Sequence, residues 1–457
     1  MKSVPSLGPV EGFAAACPVM GRLLALLSPM VMSNVIQSIA ATVNGVYIGH
    51  LLGAEAYAVM SIALPVLFLC ASFGMAIGSG ASIVAGKAWG AQDHDRLQSM
   101  AQTVLLLTLA VGLVMAVSGI ALAGVVVQAF RVADGMQATA AMYVSIMFLA
   151  LPVQLLLMTA WALLRSTGAP AAPLQASLVA LLVTAIVSPL AIVCLDERGA
   201  GIVGAALAFF LAQLVSLLWT LGFVRRKGHA LAAALRGKWR IDASALQTVL
   251  KLGSPVGLFF TVGATADLGL LSLVTAHGAV ATASWGAVRQ VMTYVQLPAM
   301  SIALAASTLA AQAIGAQRPV QMRAIASAAL VLNLGVCGGL AVVTAFAGPL
   351  LVQGFVSDAH VVATAGAILK ITALGNIAFG MASALTSVMR ASGRIVVPTC
   401  LSLGCVVFVL NPAAHIFHAQ FGLLGVWMAY PATYCCALLL QWMAFVNSPA
   451  QTHPPGR

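Results

Sequence analysis

Acidic side chains are scarce in this sequence: ten Asp and Glu stand among 457 residues, against 21 Lys and Arg, and charged residues together make up 7%. Soluble domains carry ~25% charged residues, so a water-soluble globule is excluded. Polar stretches are just as rare. The one of any length, Arg225 to Asp242, leaves no room for a soluble domain. The eight cysteines (Cys17, Cys70, Cys194, Cys337, Cys400, Cys405, Cys435, Cys436) show no CxxC spacing, which leaves them as small buried fillers rather than redox or metal ligands. A phosphate cradle is missing too: Ala81 to Ala88 imitates GxxxxGK[ST] but lacks the first glycine and the final hydroxyl, and no strand precedes it. His415 and His418 form an HxxH pair without a third ligand, so no metal site is expected. No apolar run holds a histidine beside a carboxylate or thiol, which argues against an enzyme working inside the membrane.

What is present is apolar sequence, 61% hydrophobic with a mean hydropathy of +1.05. A membrane span takes about 20 such residues. Gly, Pro and charged breaks divide the chain into twelve, near 22–47, 56–86, 98–128, 137–163, 171–194 and 200–224, then 249–275, 280–314, 323–353, 360–388, 395–417 and 420–446. The expected fold is an all-α integral membrane protein. Its divisions are 1–224, a basic linker 225–247, and 248–457. The first apolar run is too long for a signal-peptide core and is expected to be retained as the first span. The net charge of +11 does not mark a nucleic-acid binder, because the basic residues gather at one set of span ends rather than along one helix face. Arg22, Lys87, Arg96, Arg165, Arg225 to Arg240, Lys251, Arg318, Arg323, Arg390 and Arg394 all fall on one side, with only Arg131 and Arg198 opposite. By the positive-inside rule both termini are cytoplasmic. In the linker, His229 to Arg236 reads as a short amphipathic helix lying on the anionic inner leaflet. Pro189 and Pro412 predict a paired bend in the fifth and eleventh spans.

The chain also repeats itself. Leu164-Arg165-Ser166-Thr167-Gly168 returns as Met389-Arg390-Ala391-Ser392-Gly393 (390 − 165 = 225), Gly90-Ala91-Gln92 as Gly315-Ala316-Gln317, and Ser28-Pro29 as Ser254-Pro255. Six spans bring the chain back to the side where it began, so the repeats are parallel. Two like halves in a membrane create an interface where a substrate can bind and about which the halves can rock, which makes transport the leading reading. With no ATP site, uphill movement has to draw on an ion gradient.

Nine of the ten carboxylates (Glu11, Glu55, Asp93, Asp95, Asp134, Asp196, Glu197, Asp242, Asp358) fall in tails, loops or span ends; Asp267 alone is deep, roughly 24 Å along the seventh span from Lys251 at 1.5 Å per residue. An ionisable group at that depth is costly and reads as functional by default, with a partner to be named. Arg289 is that partner: Asp267 and Arg289 are equally far from the hairpin turn at Gly278, and so lie at similar depth on antiparallel neighbours. The pair is either a static bridge that pins the hairpin or a place where Asp267 exchanges a proton or cation for substrate. Asn34, Gln37 and Asn44 form a polar stripe on the first span, which lines a cavity or joins helices. Thr293 and Gln296 continue the face of Arg289, and Phe260 and Gly263 share the face of Asp267. Phe260 offers a ring to a lipophilic cation, and the small residues leave room beside the carboxylate.

The stretch Val43-Asn44-Gly45-Val46-Tyr47-Ile48-Gly49-His50-Leu51-Leu52-Gly53-Ala54-Glu55-Ala56, together with Trp89-Gly90-Ala91-Gln92, its echo Gln312-Ala313-Ile314-Gly315-Ala316-Gln317, and Met389 to Gly393, resembles the multidrug and toxic compound extrusion (MATE) family over nearly the whole chain. The resemblance implies two parallel six-helix bundles around a central cleft in a plasma-membrane monomer. It further implies a secondary antiporter that exports organic cations or drugs in exchange for protons or sodium, with no other cofactor. A flippase-like exporter of lipid-linked or anionic precursors, from the same superfamily, is the alternative. In the branch resembling DNA-damage-inducible protein F a first-helix aspartate is central, and Asn44 stands at the matching position. In the sodium-coupled branch a seventh-helix glutamate aligns near Gly263 and a tenth-helix aspartate near Phe379, so Asp267 is the one carboxylate left to replace them.

Overall fold

The computed structural model describes residues 9–129, 137–197, 199–236, 241–318, 320–354, 356 and 358–447, with side chains from residue 19 onward except at 54, 58, 62, 65, 126, 129, 235, 236 and 279. Arg131, Asp134, Arg198 and Arg240, and the side chains of Glu11 and Cys17, lie outside the described residues. In hydrocarbon each backbone N–H and C=O needs a partner within its own segment, which leaves helix as the form these apolar runs can take. Among the described residues there are twelve helices long and apolar enough to cross a membrane. The first half contains α1 (Pro9–Tyr47, prolonged by a π-helical turn Ile48–Leu52), α2 (Gly53–Gly90), α3 (His94–Ala129), α4 (Gln137–Ser166), α5 (Ala171–Asp196) and α6 (Gly201–Arg226). A one-turn helix α7 (Ala232–Arg236) follows in the linker. The second half contains α8 (Ala243–Thr275), α9 (Ala279–Gly315), α10 (Gln321–Gln353), α11 (Ala359–Ala391), α12 (Val396–Gly404), α13 (Asn411–Phe421) and α14 (Leu423–Val446).

The duplication is written into the backbone. Among the described residues, positive φ occurs at Gly53 (83°) and Gly278 (93°), Gln92 (58°) and Gln317 (56°), Gly168 (85°) and Gly393 (95°), and Gly199 (68°) and Gly422 (60°), each pair at equivalent places in the two halves; Gly228 alone has no mate. At the two Gly-Ala-Gln motifs the helix closes identically: Asp93 N–H donates to Ala88 O (3.0 Å) and Arg318 N–H to Ala313 O (2.8 Å), the long-range bond of a Schellman cap. Ala169 N–H on Leu164 O and Arg394 N–H on Met389 O repeat the arrangement after the two Arg-containing motifs. The fourth span of each half is its hub: α4 packs on α2, α3 and α6, as α11 packs on α9, α10 and α14. The last two spans of each half form a hairpin closed by a glycine, since a Cβ at Gly204 would meet Ala191 O at 2.3 Å and one at Gly425 would meet Phe417 O at 2.0 Å.

By compactness the chain forms two units, Ser28–Gly257, and Leu258–Arg457 with Met1–Leu27, so the backbone passes from one unit to the other within α1 and within α8. The core of the first gathers Ile48, Met60, Tyr143, Phe148, Leu151 and Ile192; that of the second gathers Leu270, Trp285, Met292, Ile368, Trp427 and Tyr430.

Three local expectations change. The eleventh span widens locally: α12 and α13 are joined without interruption by a π-helical segment, Cys405–Leu410, that ends just ahead of Asn411 and Pro412, whereas α5 stays α-helical through Pro189. Proline has no N–H for the preceding turn, and Asn411 Nδ2 donates to Val406 O at 3.4 Å, partnering a carbonyl of the widened turn. The linker is docked rather than spread on the leaflet: Leu231, Ala232 and Ala234 are buried, Ala234 at 1% exposure, and Gln102 Nε2 of α3 donates to Ala234 O at 3.0 Å. Five residues are too few to present a continuous apolar face, and the groove under α3 offers drier cover. The cysteines do not all fill cores: Cys337 and Cys405 are buried, while Cys194, Cys400 and Cys435 are exposed on helix surfaces.

Candidate functional site

A carboxylate about three-quarters of the way along a membrane helix is tolerated where donors surround it, and Asp267 has two. Arg289 Nη2 on α9 donates to Oδ2 at 2.5 Å, and the Tyr430 hydroxyl on α14 donates to Oδ1 at 2.8 Å. The hairpin geometry that puts residues 267 and 289 at one depth thus produces the sole ion pair among the described residues. The pair is not sealed: 35% of the Arg289 side chain and 29% of the Asp267 side chain remain exposed. One turn away on the same face there is open space, because a Cβ added at Gly263 would meet no neighbouring atom within 4 Å.

Behind the pair stands an aromatic wall. Tyr430 is 2% exposed, its ring 5.6 Å from Trp427 and 6.1 Å from Tyr434, while Trp285 packs on Trp427 at 4.6 Å and Phe379 on Tyr434 at 5.2 Å. Such packing fixes the phenol so that its O–H, which would be costly to bury unpaired, meets the carboxylate. The indole Nε1 of Trp427 is buried without a partner. Further along α9, Gln296 Nε2 donates to Asn376 Oδ1 of α11 at 3.1 Å, and the exposed Thr293 hydroxyl returns to Arg289 O at 2.9 Å. Phe260 is half-buried, edge-on to Phe259 at 5.9 Å.

The polar stripe of α1 belongs to the Ser28–Gly257 unit. There Asn44 Oδ1 accepts from the Ser188 hydroxyl at 2.9 Å, joining α1 to α5, and the exposed Gln37 donates to Ser33 O at 3.1 Å on its own helix. Asn34 is half-buried. The structure therefore brings Asp267, Arg289 and Tyr430 into one network and joins Gln296 to Asn376, while Gln37 and Thr293 bond to their own helices.

Tyr430, Asn376 and the tryptophans went unnoticed in the sequence. One signal was present: a tyrosine or asparagine amid apolar residues needs a partner for its polar atom. Which partner it meets is a matter of helix packing, which spacing along the chain does not encode. His418 likewise finds a partner across the fold, its Nε2 lying 2.8 Å from Nε2 of His277 at the α8–α9 turn. Among the described residues no group of three or more potential metal ligands assembles.

Comparison with known proteins matches residues 29–190 and again 257–414 to the family model MatE. The probable multidrug resistance protein YoeA of Bacillus subtilis is 30% identical over 93% of this chain and 93% of its own length. The multidrug export protein MepA of Staphylococcus aureus is 23% identical over 94% of each chain. In fold, the crystal structure of a single-residue mutant of the Vibrio cholerae MATE transporter VcmN superposes with a TM-score of 0.88, at 16% identity, covering 96% of this chain and 100% of that one.

Proposed function

Because this chain belongs to the MatE family of multidrug and toxic compound extrusion transporters, we propose that it exports amphipathic organic cations or drugs in exchange for protons or sodium ions, alternating between inward- and outward-open states. The observation that carries the reading is the partly exposed carboxylate of Asp267, held by Arg289 and Tyr430. Arg289 serves as a resident counter-cation. A proton or sodium ion reaching Oδ2 has to displace the guanidinium, and the freed positive charge then opposes a cationic substrate nearby; when the ion leaves, the pair re-forms. Binding of ion and of substrate is thereby made mutually exclusive by charge alone, which is the requirement for exchange. Gly263, Phe260, Thr293 and Gln296 contribute room, a ring face and polar contacts on the same two helices; Asn34, Gln37 and Asn44 form a separate uncharged stripe on α1, within the Ser28–Gly257 unit. Relatives named for multidrug resistance and export support a small-molecule substrate. The orientation follows from charge: with the basic span ends inside, both termini are cytoplasmic.

The test is efflux of a fluorescent lipophilic cation from proteoliposomes under imposed pH or sodium gradients. Efflux should follow one of the two gradients and collapse with it. Asp267→Asn keeps the shape of the side chain and should abolish gradient-driven efflux while the protein still folds. Undiminished transport in that variant would sink the coupling role.

A further inference from the structure

A second feature lies wholly within the Ser28–Gly257 unit, remote in function from the ion pair. Leu105 and Leu109 of α3, Leu156 and Leu163 of α4, Leu221 of α6 and Leu231 of the linker wall a groove of about 250 Å³ with almost no polar surface. It begins at the linker end of α6 and runs roughly 12 Å along the helices, judged from Leu156 to Leu164 at 1.5 Å per residue. The hydroxyl of Thr220, the one polar side chain among its walls, is committed to Ser216 O at 2.8 Å. An apolar cavity of ~150 Å³ stays dry and takes up a benzene-sized molecule, whereas pockets for drug-sized ligands start at about 300 Å³. This groove therefore suits a flexible hydrocarbon chain better than a folded drug.

Its mouth is basic. Arg225 stands four residues beyond Leu221 and Lys227 three beyond Val224, so both continue the groove-lining stripe of α6 past the membrane, and both are exposed. On the α4 wall, Arg165 follows Leu164, and its Nε is buried with no hydrogen-bond partner. Among the described residues no carboxylate forms a salt bridge with any of the three. Hydrocarbon walls ending in uncompensated cations match one ligand in a membrane: a phospholipid with an anionic headgroup. We propose that this groove is a binding site for one acyl chain of such a lipid, with its phosphate at Arg225, Lys227 and Arg165, and that the docked linker segment at Leu231 closes the groove's end.

The test is native mass spectrometry of the full chain in mild detergent, supplied with equal amounts of phosphatidylglycerol and phosphatidylcholine. Each basic group near an anionic headgroup strengthens binding roughly fivefold, so Arg225 and Lys227 together predict about twenty-five-fold preference for phosphatidylglycerol at one tightly held lipid. Leu221→Trp, and independently Leu105→Trp from the opposite wall, should remove that lipid with no change in melting temperature in lipid-free detergent. The double variant Arg225→Gln, Lys227→Gln should keep a lipid but bring the two headgroups to parity. Equal binding of both lipids by the unaltered protein, retention of the lipid in both tryptophan variants, or displacement by glycerol phosphate at the same concentration would overturn the proposal.

Discussion

Replacing Tyr430 with phenylalanine isolates one hydrogen bond at the carboxylate. The ring is 2% exposed and packed among Trp285, Trp427 and Tyr434, so the variant keeps its packing and loses only the donor 2.8 Å from Asp267 Oδ1. A hydrogen bond to a charged group contributes about 1.5–3 kcal/mol. The carboxylate is 29% exposed, and water can partly replace the lost donor, which places the effect at the low end, about 1.5 kcal/mol or roughly tenfold. The sign follows from competition. A carboxylate with one fewer donor holds an arriving cation more tightly, so the coupling-ion concentration giving half-maximal efflux should fall about tenfold. Half-saturation measured in proteoliposomes is the assay, with tryptophan fluorescence reporting whether the cluster around Trp427 is intact. An unchanged midpoint with intact fluorescence would mean that the bond plays no part in the ion equilibrium.

Three further outcomes follow from the backbone and the linker. Gly204→Ala would drive a methyl to 2.3 Å from Ala191 O and should cost about 1–3 kcal/mol by overpacking the α5–α6 hairpin, seen as a lower melting temperature in detergent; Gly335→Ala, with open space around it, should not lower it. Gly393→Ala meets no atom within 4 Å but sits at φ 95°, so a loss of about 1–2 kcal/mol in the same assay would reflect left-handed strain alone. His229 stacks on Trp89 at 6.2 Å and approaches the Thr167 hydroxyl at 3.5 Å; burial lowers its pKa below the ordinary 6.5, partly opposed by a hydrogen bond with Thr167. A depressed folded-state pKa means that the docking contribution is complete above about pH 6.5 and is lost as the pH falls through the lowered value. Protection factors against hydrogen exchange at Leu231 to Ala234, taken relative to the intrinsic rate at each pH, should accordingly fall in mild acid, and that pH dependence should flatten in His229→Gln.

Apolar run lengths, charge placement and the 225-residue echo were enough to read twelve spans, two repeats and the family resemblance, because a bilayer admits few backbone forms and a duplication leaves its turn residues in register. The same arithmetic put Arg289 beside Asp267, since a hairpin fixes the depth of residues equidistant from its turn. Tyr430 lies 163 positions from Asp267, and no periodicity along the chain connects α14 to α8; packing around Trp427 does that. Asn44 looked the same on paper whether it lined a cavity or joined helices, and Ser188 became its partner only once α5 lay against α1. The linker tells the same story, since Leu231 and Ala234 are apolar in any reading, and only packing beside Gln102 of α3 decided that the segment docks on the helices rather than lying on the leaflet surface. Sequence sets what each helix must hide and how long it is; which hidden face meets which is settled by three-dimensional fit, where distant residues compete for the same few places.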